Sequence, residues 1–176
     1  NAALVAQDPK NGQVLSLVGS RDYFDIENEG NFNVPTQGLR QPGSALKPFV
    51  YLTAFTKGYS PETVLFDVPT NFDTTGNPDK EYKPENFDVV YRGPVKLRQA
   101  LAQSINIPSV KVLYLAGVSD SIRLAQKMGV ESLGNAGQYG LTLVLGGGEV
   151  SLLEMTSAYG VFANEGIRNP HFAILE

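Results

Sequence analysis

Ser44 and Lys47 stand three residues apart in the run Gln41-Pro42-Gly43-Ser44-Ala45-Leu46-Lys47-Pro48, a hydroxyl and an amine at the start of what reads as an apolar helix. Residues i and i+3 of a helix share a face, with Cβ atoms about 5–6 Å apart, so an amine on a four-carbon stem can fold back to the serine oxygen. The chemistry open to such a pair is covalent: the hydroxyl attacks a carbonyl carbon while the amine takes its proton, leaving an acyl intermediate. A chain of this size holds about one serine–lysine pair at that spacing by chance, so context decides. Gly43 leaves room for substrate or backbone beside the serine, and Pro42 fixes the direction of entry. The following Phe49-Val50-Tyr51-Leu52-Thr53-Ala54-Phe55 is too apolar for a surface helix. Lys47 is therefore expected at the edge of a core, where desolvation favours the neutral amine.

Ser104-Ile105-Asn106 offers a second hydroxyl and a carboxamide two residues apart, expected between one helix and another begun by Pro108. Serine and asparagine are common helix caps and are structural by themselves. Joined to Ser44 and Lys47 they become candidates for a proton shuttle and a substrate clamp.

The remaining constellations are weaker. His171 is the single histidine and its neighbours Pro170 and Phe172 read as the start of a strand, so neither a serine–histidine–acid triad nor a zinc cluster is expected. Lysine is left as the base for a serine. Asp25 to Gly30 opens like a calcium loop, but its twelfth position is Thr36 where a bidentate glutamate is needed. Gly146-Gly147-Gly148 is followed by Glu149, which would repel a phosphate, and reads as a tight connection. Glu81 and Glu85 lie in a proline-rich loop and read as surface carboxylates. No metal and no cofactor are expected.

These residues must be held by a folded scaffold, and 176 residues with 42% hydrophobic content are enough for one domain with a real core. A net charge of −4 without a basic stripe argues against a nucleic-acid partner. Cysteine is absent, no apolar stretch approaches the length of a membrane span, and no signal peptide is evident, so any anchor lies outside this chain. Ala2 to Asp8 and Gln13 to Val18 read as a hairpin around Pro9-Lys10-Asn11-Gly12. Helices are expected over Ser44 to Lys57, over Val95 to Gln103 with Pro94 at the first position, and from Pro108 to about Ala116. A fourth helix follows a Ser119 cap as far as Gly129. The last helix opens on a Ser151/Glu154 capping box and runs to about Ala163. Gly19 to Gln41 and Tyr59 to Gly93 read as long connections, the second with one short strand. His171 to Leu175 looks like a strand beginning. The sum is an α+β chain, a strand hairpin plus a mostly helical region.

The serine–lysine tetrad followed by a Ser-x-Asn element resembles the penicillin-binding proteins and serine β-lactamases. Gly19-Ser20-Arg21-Asp22-Tyr23, Phe32-Asn33, Arg40 to Pro48, Tyr82 to Asp88, Ala100 to Pro108 and Leu145-Gly146-Gly147 extend the likeness to the transpeptidase domain of class A, bifunctional penicillin-binding proteins. The resemblance covers essentially the whole chain. It implies a partial β-lactamase/transpeptidase-like fold, with residues 1–176 as the N-terminal portion of the domain. It implies Ser44 as the nucleophile toward the penultimate D-alanine of a peptidoglycan stem peptide, Lys47 as its base and Ser104 as a relay to the departing D-alanine. It further implies Asn106 as a ligand of Lys47 or the substrate amide, and the Ser44 N–H as half of an oxyanion hole. β-Lactam antibiotics would acylate the same serine. The family's setting is the extracytoplasmic face of the bacterial membrane, with a glycosyltransferase domain upstream.

Two departures accompany it. Val34-Pro35 stands where the family usually has Arg-Ala, and no Lys-Thr-Gly or Lys-Ser-Gly run occurs; Thr56-Lys57-Gly58 has the wrong order. That element lies in the family on a cleft strand, so the C-terminal sheet strands are expected to be absent, leaving the hairpin with an unpaired edge and an uncovered apolar face. The isolated chain is then expected not to turn over substrate and to need the missing C-terminal segment as a partner. The alternative reading is a penicillin-recognising sensor or non-catalytic scaffold of the same fold. A β-lactamase fits less well, because Glu131 with Asn135 only loosely echoes a Glu-x-x-Leu-Asn element.

Overall fold

The computed structural model describes residues 2–73 and 81–174. In chain order these form β1 (Leu4–Gln7), β2 (Val14–Val18), α1 (Val34–Gln37), β3 (Leu39–Arg40), a 3₁₀ turn (Gly43–Leu46), α2 (Lys47–Thr56), β4 (Val64–Asp67) and β5 (Gly93–Lys96). There follow α3 (Leu97–Ala102), α4 (Asn106–Ala116), α5 (Val118–Met128), 3₁₀ turns at Ala136–Gln138 and Gly140–Leu145, β6 (Val150–Ser151) and α6 (Leu152–Ala163). The strands pair only two by two, as β1–β2, β3–β6 and β4–β5, among the described residues. The chain is α+β with helix predominant.

It divides into two compact units, of which one gathers Asn1–Pro42, Ile122–Gln138 and Gly148–Glu176. Its hairpin forms where expected, with Leu4 opposite Val18 and Gln7 opposite Val14. The Asp8 carboxylate closes the turn by accepting from the Lys10 N–H at 2.9 Å and the Asn11 side chain at 3.2 Å. Leu4, Leu15, Leu17 and Val18 of this hairpin remain exposed. Helix α6 packs on β1 and is capped by Ser151, whose hydroxyl accepts from the Glu154 N–H at 3.2 Å. The capping box is only half made, because the Glu154 carboxylate turns to the hydroxyl of Ser132. The strand expected from His171 is reduced to one bridge between Phe172 and Gln13; Leu175 lies outside the described residues.

The other unit comprises Gly43–Ser121 and Tyr139–Gly147. Its centre is α2 packed on α4, with Phe49, Val50, Tyr51 and Ala54 of the first and Ile107, Val110, Val112, Leu113 and Ala116 of the second fully buried. Burying a large apolar side chain contributes about 1.5–3 kcal/mol, so these helices are fixed by tertiary packing rather than by propensity. Tyr51 carries its one polar atom into this core against the Ser109 hydroxyl at 3.0 Å.

Four helix starts differ from expectation. Helix α5 begins at Val118, with the Gly117 carbonyl accepting from the Ser121 N–H at 3.1 Å, so Ser119 lies within its first turn rather than capping it. The other three differ because of a proline. Pro48 has no N–H to donate to the Ser44 carbonyl, so the first turn closes as 3₁₀ and α2 begins only at Lys47. Pro94 lies in β5 opposite Phe66, in a two-stranded ribbon where a residue without an N–H is tolerated; α3 then starts at Leu97. Helix α4 begins at Asn106 rather than Pro108, which puts the proline in the first turn, where no N–H has an intrahelical partner.

Candidate active site

The four residues singled out by type and spacing all belong to the second unit. Ser44 sits in the 3₁₀ turn, exposed, while Lys47 at the head of α2 is 1% exposed. The two therefore do not share an α-helix, although a 3₁₀ turn also stacks residues i and i+3. All three Lys47 hydrogen bonds go to the α3–α4 junction: to the Ser104 carbonyl at 2.7 Å, the Ser104 hydroxyl at 3.1 Å and Asn106 Oδ1 at 2.9 Å. Lys47, Ser104 and Asn106 are thus brought together, and none of those bonds goes to Ser44. Burial of the Lys47 amine lowers its pKa from 10.5 to about 8, because desolvation penalises the charged form.

The junction earns its shape from how α3 ends. The Ile105 N–H donates to the Ala100 carbonyl at 2.9 Å and the Ser104 N–H to the Leu101 carbonyl at 3.0 Å. That is a Schellman closure, whose left-handed position is usually glycine. Here it is Ser104, with φ +54°, a conformation that costs an L-residue about 1–2 kcal/mol. Asn106 opens α4, accepting from Lys47 and donating from Nδ2 to the Glu85 carbonyl at 2.9 Å.

On the Ser44 side, the 3₁₀ turn Gly140–Leu145 packs against the turn Gly43–Leu46. Gly146 follows with φ +93°, and a Cβ there would lie 2.4 Å from both N and Cα of Gly43. The glycine run read as a tight connection is also a close backbone approach beside Ser44. Glu81 is exposed and paired with Lys83 at 2.7 Å, and the Glu85 carboxylate is exposed. Asp25 holds Arg21 and Asn28, and His171 Nδ1 lies 3.1 Å from the Ser157 hydroxyl on α6. Among the described residues no acidic, histidine or cysteine cluster could hold a metal ion.

Sequence reasoning missed Asn86, whose Oδ1 accepts from the backbone N–H groups of Asn106 and Ile107 at 3.1 and 3.2 Å. The available signal was Pro108: a helix whose third residue has no N–H, and whose N-cap is isoleucine, needs an acceptor from elsewhere.

The comparisons with known proteins bear on the family and the fold. The profile of the family described as "Penicillin binding protein transpeptidase domain" matches residues 2–174. Penicillin-binding protein 1A of Neisseria flavescens is 37% identical over 94% of this chain and 20% of its own length. That of Neisseria meningitidis serogroup A is 39% identical with the same coverage. The crystal structure of penicillin-binding protein 1A from Haemophilus influenzae superposes with a TM-score of 0.84 at 35% identity, covering 96% of this chain and 24% of that one. The chain thus spans about a fifth of the length of the curated relatives it matches. A family match along nearly its whole length, and a fold shared with a solved relative, make this chain a member of the penicillin-binding protein transpeptidase domain family.

Proposed function

We propose that this chain carries the nucleophile side of a D,D-transpeptidase site that cross-links peptidoglycan stem peptides through a serine acyl-enzyme. The observation that supports it is the buried Lys47 amine, held by Ser104 and Asn106 and brought down to about pKa 8. At neutral pH about a tenth of such amines are neutral, against well under a thousandth at the ordinary lysine value. A neutral Lys47 keeps two donors for the Ser104 carbonyl and Asn106 Oδ1, and its lone pair is free to accept a proton.

The Ser44 Oγ attacks the carbonyl carbon of the penultimate D-alanine, its proton passing to Lys47 as the C–O bond forms. The tetrahedral oxyanion, next to the Ser44 N–H, collapses with cleavage of the C–N bond. The departing D-alanine nitrogen takes a proton by way of Ser104, whose hydroxyl can both donate and accept. The amine of a second stem peptide then attacks the ester carbon, giving up a proton that passes by way of Lys47 to Ser44 Oγ as the C–O bond breaks. A β-lactam follows the first half of this course and remains attached. The strained left-handed Ser104 favours this reading over a silent scaffold, since a glycine would serve the fold better. The work is done outside the cytoplasmic membrane; no helix among the described residues is long and apolar enough to cross one.

Mass spectrometry of the full-length protein after exposure to penicillin tests the proposal, with Ser44→Ala and the 176-residue chain alone run beside it. One adduct mapped to Ser44, absent in Ser44→Ala, is the expected result. An adduct on another residue, or none on the full-length protein, overturns it. Rapid labelling of the isolated chain would show that these residues need no further segment for acylation.

A further inference from the structure

Helix α4 has an N-terminus that its own sequence cannot cap. Ile105 offers no side-chain acceptor, Pro108 has no N–H, and the Ile105 N–H already serves the Ala100 carbonyl. The two remaining donors, the N–H groups of Asn106 and Ile107, both converge on one atom, Asn86 Oδ1, at 3.1 and 3.2 Å. Asn86 is 4% exposed and lies far upstream in the chain.

Its orientation is fixed from the other side. Asn86 Nδ2 donates to both oxygens of the Asp67 carboxylate at 2.8 and 3.0 Å and to the Val90 carbonyl at 2.8 Å. A flipped amide would set its oxygen against a carboxylate and its nitrogen against two N–H donors, so only one orientation is satisfied. Asp67 is fully buried, accepts from the Arg92 N–H at 3.0 Å and has the Arg92 guanidinium at 3.7 Å. The preceding residue adds a second hold, as the Glu85 carbonyl accepts from Asn106 Nδ2 at 2.9 Å. Asn106 is therefore gripped at its backbone by Asn86 and at its side chain by Glu85, which leaves its Oδ1 aimed at the Lys47 amine at 2.9 Å.

We infer that Asn86, locked by the buried Asp67, is a positioning residue that sets Asn106 and through it the Lys47 amine. This rests on the site proposed above. A helix cap alone would need only the two backbone bonds; the added hold on the Asn106 carboxamide ties the cap to the site. A pocket of about 120 Å³ lined by Asn86, Asp88, Arg92 and Ser104 adjoins the junction, so water can take the place of a truncated Asn86 and reach it.

The test uses Asn86→Ala and the isosteric Asp67→Asn in the full-length protein, each checked for folding by circular dichroism. The first readout is independent of penicillin: brief acetylation with acetic anhydride near pH 8, with lysine-by-lysine mass mapping. Lys47 labelling is expected to rise about ten-fold relative to Lys57 and Lys83, as local opening exposes a protected amine. The second readout is penicillin acylation, whose rate constant is expected to fall about ten-fold, with the binding constant within about two-fold and the pH midpoint moved upward. An unchanged Lys47 ratio in a folded variant overturns the inference. So does a parallel rise at every lysine, or loss of folding in both variants, since either makes the network a requirement of the fold. If the unaltered protein takes up no penicillin at Ser44 while the Lys47 ratio still responds, the proposed function fails and the positioning stands. If penicillin adds normally and the ratio does not move, the positioning fails alone.

Discussion

Lys47 donates to both oxygens of Ser104, the carbonyl at 2.7 Å and the hydroxyl at 3.1 Å. The carbonyl can only accept, whereas the hydroxyl can turn and donate once Lys47 is neutral, so this contact can pass a proton either way. That property, in a desolvated setting, distinguishes the pair from an ordinary buried lysine.

The Lys47 amine, lowered to about 8 by burial, sets the pH dependence. Acylation of Ser44 by penicillin is expected to rise with pH through a midpoint near 8, and Lys47→Arg, which cannot deprotonate, is expected to lose at least about a hundred-fold in rate. The folded state also binds this proton less tightly than the unfolded chain. The residue therefore destabilises the fold below about pH 8, and the penalty fades as pH rises from there to the ordinary value of 10.5. Stopped-flow acylation and chemical unfolding across pH 7 to 10 measure both; a flat acylation profile would count against Lys47 as the base.

Ser104→Gly separates stability from activity. Glycine relieves the left-handed φ of +54°, so the variant is expected to gain about 1 kcal/mol in unfolding free energy. It also removes the hydroxyl proposed as the relay, so acylation should fall about ten- to a thousand-fold. A variant that is both less stable and fully active would contradict the role given to this position.

Gly146→Ala places a Cβ 2.4 Å from Gly43 N and Cα. Backbone must move on one side or the other, and the turn that carries Ser44 is one of those sides. A loss of about 2 kcal/mol or more, with slower acylation, is expected from thermal unfolding and penicillin labelling.

Tyr51→Phe removes a hydroxyl that is buried among α2 and α4 and whose pKa burial pushes up to about 12. Its partner Ser109 keeps the Ile105 carbonyl as an acceptor at 2.6 Å. The cost is expected to be about 1 kcal/mol, with the pH midpoint of acylation unchanged, because neither hydroxyl bonds to Lys47.

By itself the sequence determined which side chains are available for the proposed chemistry, namely the types and order of Ser44, Lys47, Ser104 and Asn106, together with the buried character of α2, the hairpin and the Ser151 cap. All of these rest on local rules, such as periodicity, turn residues and side-chain reach, which a linear reading can apply. What it could not determine are relationships between distant segments. Whether Lys47 turns to Ser44 or to the α3–α4 junction depends on α4 packing against α2. That α4 begins at Asn106 depends on an acceptor, Asn86, supplied from a separate loop. That Ser104 holds a left-handed backbone depends on how α3 closes. The starts of α2 and α3 moved because Pro48 and Pro94 remove a donor without saying which structure replaces the lost bond. Tertiary packing made that choice, since it alone decides which partner each unsatisfied backbone group can reach.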